Sequence, residues 1–74
     1  MSILPILAAR VVMRKLERAG FRCIYTKGSH YFFHHPLKNR ITSVPLHGGK
    51  DIGRKLLHKI LKQAGLSAEE FLKL

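Results

Sequence analysis

The chain changes its hydrophobic period twice, and this limits its fold more than anything else in the sequence. Ala8, Val12, Leu16 and Ala19 recur at i, i+4, i+8 and i+11, which is one face of a helix predicted over Ala9 to Ala19. Gly20 suits a left-handed cap at the end of that helix, whereas Ala8-Ala9 offers no side chain to cap its start. The period then shortens. Phe21–Lys27, His30–His35 and Arg40–Val44 are rich in β-branched and aromatic residues and read as three strands. Gly28-Ser29 is a turn signal between the first two, Pro36–Asn39 reads as a hairpin loop, and Pro45 ends the third. After a loop at Leu46–Lys50, helical spacing returns with Ile52, Leu56, Leu57, Ile60, Leu61 and Ala64. Asp51 is the expected N-cap of this second helix and Gly65 its stop. Ser67-Ala68-Glu69-Glu70 has the form of a capping box, opening a short last helix that carries Phe71 and Leu72.

The expected class is α+β. A three-stranded antiparallel meander carries both main helices on one face, with a short C-terminal helix added. The other sheet face is left toward solvent or a partner. This α-β-β-β-α order is that of double-stranded-RNA-binding domains, a likeness of order that does not by itself specify function. Seventy-four residues imply one domain, 1–74, with a thin core. Cys23 is the only cysteine, so an internal disulfide framework is excluded, which suits a reducing cytosol; it is expected as a small buried or strand residue. Ile3–Ala9 is apolar but short, and no basic residue precedes it, unlike a signal peptide. No segment approaches the roughly 20 apolar residues of a membrane span. The expected location is cytoplasmic.

Charge narrows the partners. Fourteen Lys and Arg face four Asp and Glu, a net charge of +10, and no acidic residue occurs from Arg18 through Lys50. Such an imbalance repels itself in a compact fold and attracts polyanions, whether phosphate backbones, anionic surfaces or an acidic protein. Arg54, Lys55, Lys59 and Lys62 read as the solvated face of the second helix, which would still steer RNA inward.

Five histidines, His30, His34, His35, His47 and His58, raise the question of a metal. His30 and His34 share a strand face but lie roughly 13 Å apart at 3.3 Å per residue. His34 and His35 point to opposite faces, and the chain has no cysteine pair and no helical His-x3-His pair. Neither a metal site nor a cofactor is expected. Tyr31, Phe33 and His35 share one face of their strand, and His30, Phe32 and His34 the other. The aromatic run reads as core and strand packing ahead of a base-stacking platform, with room for one or two rings on the open side.

If the hairpin centres between Leu37 and Lys38, His30 lies opposite Pro45 and Gly28 opposite His47. His30 and His47 should therefore meet at one end of the sheet, with Lys27, Gly28, Ser29, Lys50 and the start of the second helix. That end suits a phosphate. Lysines and helix amides favour an anion, a serine hydroxyl donates, and imidazole exchanges protons near neutral pH. RNA brings its own nucleophile, the 2′-hydroxyl, so a base and donors for the phosphorane suffice for cleavage. On spacing alone, His30 and His47 also read as ordinary strand and loop histidines.

Gly20–Pro36 (GFRCIYTKGSHYFFHHP), Ile41–Gly53 (ITSVPLHGGKDIG) and Leu56–Leu72 (LLHKILKQAGLSAEEFL) together resemble the HicA family of bacterial and archaeal toxins. The Lys-Gly-Ser-His turn, the Val-Pro-x-His loop and the Ile-Leu-Lys-Gln-Ala-Gly helix end are jointly specific. The resemblance implies a fold like that of double-stranded-RNA-binding domains and an mRNA interferase, a metal-independent endoribonuclease. Its single histidine falls on His30. The family's second common histidine falls on His47, in support or phosphate contact. A HicB-type antitoxin that covers the site is the implied partner. The alternative reading is a non-catalytic RNA-binding module of the same fold.

Overall fold

The computed structural model describes residues 3–74. The elements run β1 (Leu7–Ala8), α1 (Ala9–Arg18), β2 (Arg22–Lys27), β3 (His30–His35), β4 (Arg40–Pro45), β5 (Asp51–Ile52), α2 (Arg54–Ala64) and α3 (Ala68–Leu72). The α+β class, the antiparallel meander β2-β3-β4 and the short last helix are as the sequence predicts. The molecule is a slab of 33 × 31 × 17 Å, thin enough for one sheet and one layer of helices.

Phe33 and Val44, on the sheet, meet Val12 and Leu16 of α1 and Leu57, Ile60, Leu61 and Ala64 of α2, all of them buried. Leu4, Ala9, Phe21, Ile52 and Phe71 of α3 complete the core. Each large side chain so buried contributes about 1.5–3 kcal/mol by removing apolar surface from water. Thr42 is a buried polar residue within this layer. Its Oγ1 lies 3.2 Å from the Ile60 carbonyl and 3.0 Å from Gln63 Oε1, which fastens β4 to α2.

Both main helices stop on glycine. After α1 the Gly20 amide donates to Glu17 and the Phe21 amide to Leu16, with Gly20 at φ +102. After α2 the Gly65 amide donates to Lys62 and the Leu66 amide to Leu61, with Gly65 at φ +72. This paired pattern satisfies the last carbonyls and needs a left-handed residue, hence glycine. The start of α1 has Ala8 as N-cap with no side-chain bond, as expected.

Three expectations about these elements need correction. Asp51 is not an N-cap. Asp51-Ile52 forms β5 and pairs antiparallel with β1, Leu7 to Ile52 and Ala8 to Asp51, so Ile52 is buried from a strand and α2 begins at Arg54 with Gly53 as N-cap. Two residues are too few for an alternation to show in sequence, and an Asp before an apolar residue imitates a cap. In α1 the buried stripe starts at Ala9, not Ala8, which is exposed. Leu56, counted in the α2 stripe, is 36% exposed. Cys23 stands in β2, a strand residue as expected, and is exposed.

Candidate active site

The Gly28-Ser29 turn joins β2 to β3 with Lys27 paired to His30. Gly28 takes φ +58 at the first central position, where a two-residue hairpin of this kind calls for glycine. On its other side His30 pairs with Pro45, as the pairing arithmetic predicts. The ladder continues one step past the strand, since the Leu46 amide donates to the Ser29 carbonyl at 2.7 Å. The turn and the loop after β4 are thereby tied to each other. A second tight turn closes that loop, the Lys50 amide donating to the His47 carbonyl at 3.0 Å with Gly48 at φ +55.

These two turns bring the predicted residues together. The rings of His30 and His47 stand edge to face, centroids 6.1 Å apart at 88°. Ser29 Oγ and His47 Nε2 share a hydrogen bond of 3.3 Å, whose direction follows the histidine tautomer. Directly opposed strand residues share a face, so Lys27 stands beside His30. Lys27, His30 and His47 are all exposed, and a side chain at Gly28 would meet open space. The arrangement offers two imidazoles, a hydroxyl and an ammonium at one accessible corner. Groups of these kinds exchange protons and bind anions.

Lys50 lies one turn further on. It lines a depression of about 110 Å³ with Leu46, Gly48, Gly49, Ala8, Ala9 and Arg10. The helix start nearest this loop is therefore that of α1, not that of α2 as the sequence suggests. The cause is the β1–β5 pair, which sets Asp51 beside Ala8 and carries α2 away to Leu4, whose carbonyl accepts from Arg54 Nε at 2.8 Å. Arg10 is thus a basic neighbour that sequence reasoning missed, because nothing local links it to Lys50.

The other histidines stand apart. His34 Nε2 is 3.2 Å from Asn39 Oδ1 at the far end of the sheet. His35 is buried against Phe21, edge to face at 5.2 Å, and its Nδ1 accepts from the Lys38 amide at 3.1 Å. His58 is exposed on α2. Among the described residues no three His, Cys, Asp or Glu side chains are grouped so as to hold a metal ion.

The aromatic run divides between the faces. Phe33 is buried beneath the helices, while Phe32 lies on the face of His30 and stacks on Tyr25, centroids 4.5 Å apart and planes 8° from parallel. Tyr25 reaches that face through a bulge. Cys23 pairs with Phe33 and Tyr25 with Phe32, so Ile24 is the extra residue. Plain alternation from Cys23 would have turned Tyr25 and Lys27 to the helix side, and a one-residue shift exchanges the faces.

Comparison with curated proteins found no match. A family model described as "HicA toxin of bacterial toxin-antitoxin" matches residues 9–66, from the first residue of α1 to just beyond α2, well over half of the chain. The match takes in both turns of the histidine corner and the strands that set them. The chain belongs to the HicA toxin family, toxins of bacterial toxin–antitoxin systems.

Proposed function

We infer that this toxin is an endoribonuclease that cleaves mRNA in the cytoplasm, acting as one HicA-like domain, with His30 as its general acid–base. The observation that carries the reading is the exposed pair of imidazoles, His30 and His47, 6.1 Å apart at a corner with Lys27. In the reaction His30 takes the proton of a ribose 2′-hydroxyl. The freed oxygen attacks the adjacent phosphorus, and the bond from phosphorus to the 5′-oxygen of the next nucleotide breaks. A proton passes to that leaving oxygen, which leaves a 2′,3′-cyclic phosphate and a 5′-hydroxyl. Because RNA supplies the nucleophile, this route calls on no metal or cofactor.

Lys27 and the Ser29 hydroxyl, with the backbone around Gly28, are placed to hold the phosphate. His47 supports the site through Ser29, and Lys50 adds positive potential from the next turn. Charge that develops on the phosphorane is stabilised best by groups already in place. A HicB-type antitoxin that covers this corner would silence it by excluding the RNA.

The test is induction of the chain alone, wild type beside His30→Ala. The expected outcome is growth arrest with loss of mRNA for the wild type only, the variant keeping an unchanged melting curve. General acid–base groups are worth about 10²–10⁴-fold in rate, so residual cleavage by the variant should fall by at least that range. Arrest by neither folded protein, with RNA still bound, would leave a non-catalytic RNA-binding module.

A further inference from the structure

The face of the sheet turned away from the helices is not bare. On it stand Tyr25, 52% exposed, stacked on Phe32, with Lys27 and His30 beside them and Ile41 and His34 beyond. The inner face already has its cover in α1 and α2. Among the described residues no helix lies on the outer face, yet it carries two parallel aromatic rings that a bulge at Ile24 brings into register.

Its charge selects the occupant. No acidic residue occurs from Arg18 through Lys50, so all three strands of the sheet lack a carboxylate, and Arg22 and Lys27 add positive charge on the outer side. A purely apolar partner would gain from the rings and nothing from the cations. A duplex would gain from the cations and nothing from the rings, because its bases are stacked on one another. An unpaired strand gains from both. Its phosphates meet the cations, and every base has a flat face that stacks on an aromatic ring whatever its identity.

Position links this face to the histidine corner. His30 and Phe32 are two residues apart on one strand, roughly 6.6 Å at 3.3 Å per residue. A strand whose phosphate lies at His30 therefore has its neighbouring base within reach of the ring pair. We propose that Tyr25 and Phe32 form a stacking platform for an unpaired nucleobase, so that the toxin takes single-stranded RNA and positions the nucleotide next to the bond it cuts. The platform rests on the ribonuclease reading only for the placing of that bond. Recognition of the unpaired base stands without it.

The test separates the two. His30→Ala protein is titrated with a short fluorescent oligoadenylate, with an abasic strand of equal length and charge, and with the same adenylate strand in duplex. The expected result is binding of the single strand about ten-fold tighter than the abasic strand or the duplex, since one stacked base is worth about five-fold to 150-fold. Tyr25→Ala and Phe32→Ala should each remove most of this preference, while Tyr25→Phe, which keeps a ring, retains it. Tyr25 is half exposed, so its replacement leaves the core intact and answers for Phe32 if that variant unfolds.

Equal binding of adenylate and abasic strands by the parent, or an undiminished preference in a folded Tyr25→Ala, would overturn the platform even where wild type cleaves RNA. A preference that depends on Tyr25 supports it even where wild type cleaves nothing. If Tyr25→Ala weakens only the hold of the antitoxin, the face belongs to that protein and the proposal fails.

Discussion

Gly20 shows how much a single position can carry. Its φ of +102 is one that residues with a side chain rarely adopt, and a Cβ there would stand 2.8 Å from His35 Nε2. The two residues are thus fitted to each other. Gly20 ends α1, and the buried imidazole of His35 fills the space above it, held by the Lys38 amide and the edge of Phe21. Gly20→Ala should destabilise the fold by about 1–3 kcal/mol, through backbone strain and steric clash together. Urea titration measures it. The loss should be smaller in a His35→Ala background, where the clash is gone and only the strain remains. The helix-ending role of Gly20 was legible in sequence because it follows the last residue of the apolar stripe. The burial of His35 was not, since its face could be assigned but its depth depends on the approach of the α1–β2 corner.

Among the elements, α3 is the most sharply specified. Ser67 Oγ accepts from the Glu70 amide at 3.0 Å, and Glu70 Oε1 accepts from the Ser67 amide at 2.9 Å, the reciprocal pair that the spacing predicts. The Ser67 amide, then the Ser67 hydroxyl and more weakly Lys38, hold the Glu70 carboxyl below its ordinary range. Its contribution to stability is therefore present above the ordinary carboxylate pKa and is lost as pH falls through the lowered one. Stability of the wild type should decline over that acid window more than stability of Glu70→Gln, and the difference should shrink in high salt because the site is exposed. Denaturant titrations across the acid range measure both. The capping box was readable because its four residues are consecutive. The bulge at Ile24 was not, because Arg22–Lys27 has no regular alternation against which an extra residue would show. The register of β3 on β4 was readable, and with it the meeting of His30 and His47, since a short hairpin loop fixes every later pair.

At the scale of the whole molecule, the +10 charge becomes a gradient. The four acidic side chains, Glu17, Asp51, Glu69 and Glu70, all lie outside the three-stranded sheet β2-β3-β4. On the RNA reading, affinity should fall linearly in log–log form with salt, and Lys27→Ala should reduce that slope by about one. Fluorescence anisotropy over a salt series measures it, and an unchanged slope would remove Lys27 from the phosphate contacts. Lys15 serves another purpose. Its Nζ donates to the Leu74 carbonyl at 2.9 Å and lies 5.4 Å from the centre of the Phe71 ring, so part of the basic inventory fastens α3 to α1. Sequence places Lys15 away from the apolar face of α1, and only the return of α3 gives it a partner.

The pair of β1 with β5 has a kinetic consequence. It joins Leu7 to Ile52 and Ala8 to Asp51, across the whole of α1 and the meander, through only two rungs, so it offers little free energy against a large loop to close. The meander and α2 can form from near neighbours, whereas this clasp must wait for the chain between β1 and β5 to fold back. It should be among the last contacts made in folding and among the first to open in the native state. The amides of Leu7, Ala8, Asp51 and Ile52 should then exchange with deuterium well ahead of those of β3, without global unfolding, and hydrogen-exchange mass spectrometry would show it. Each opening releases one end of the loop that holds His47, so the stability of the corner is set locally, below that of the fold that carries it.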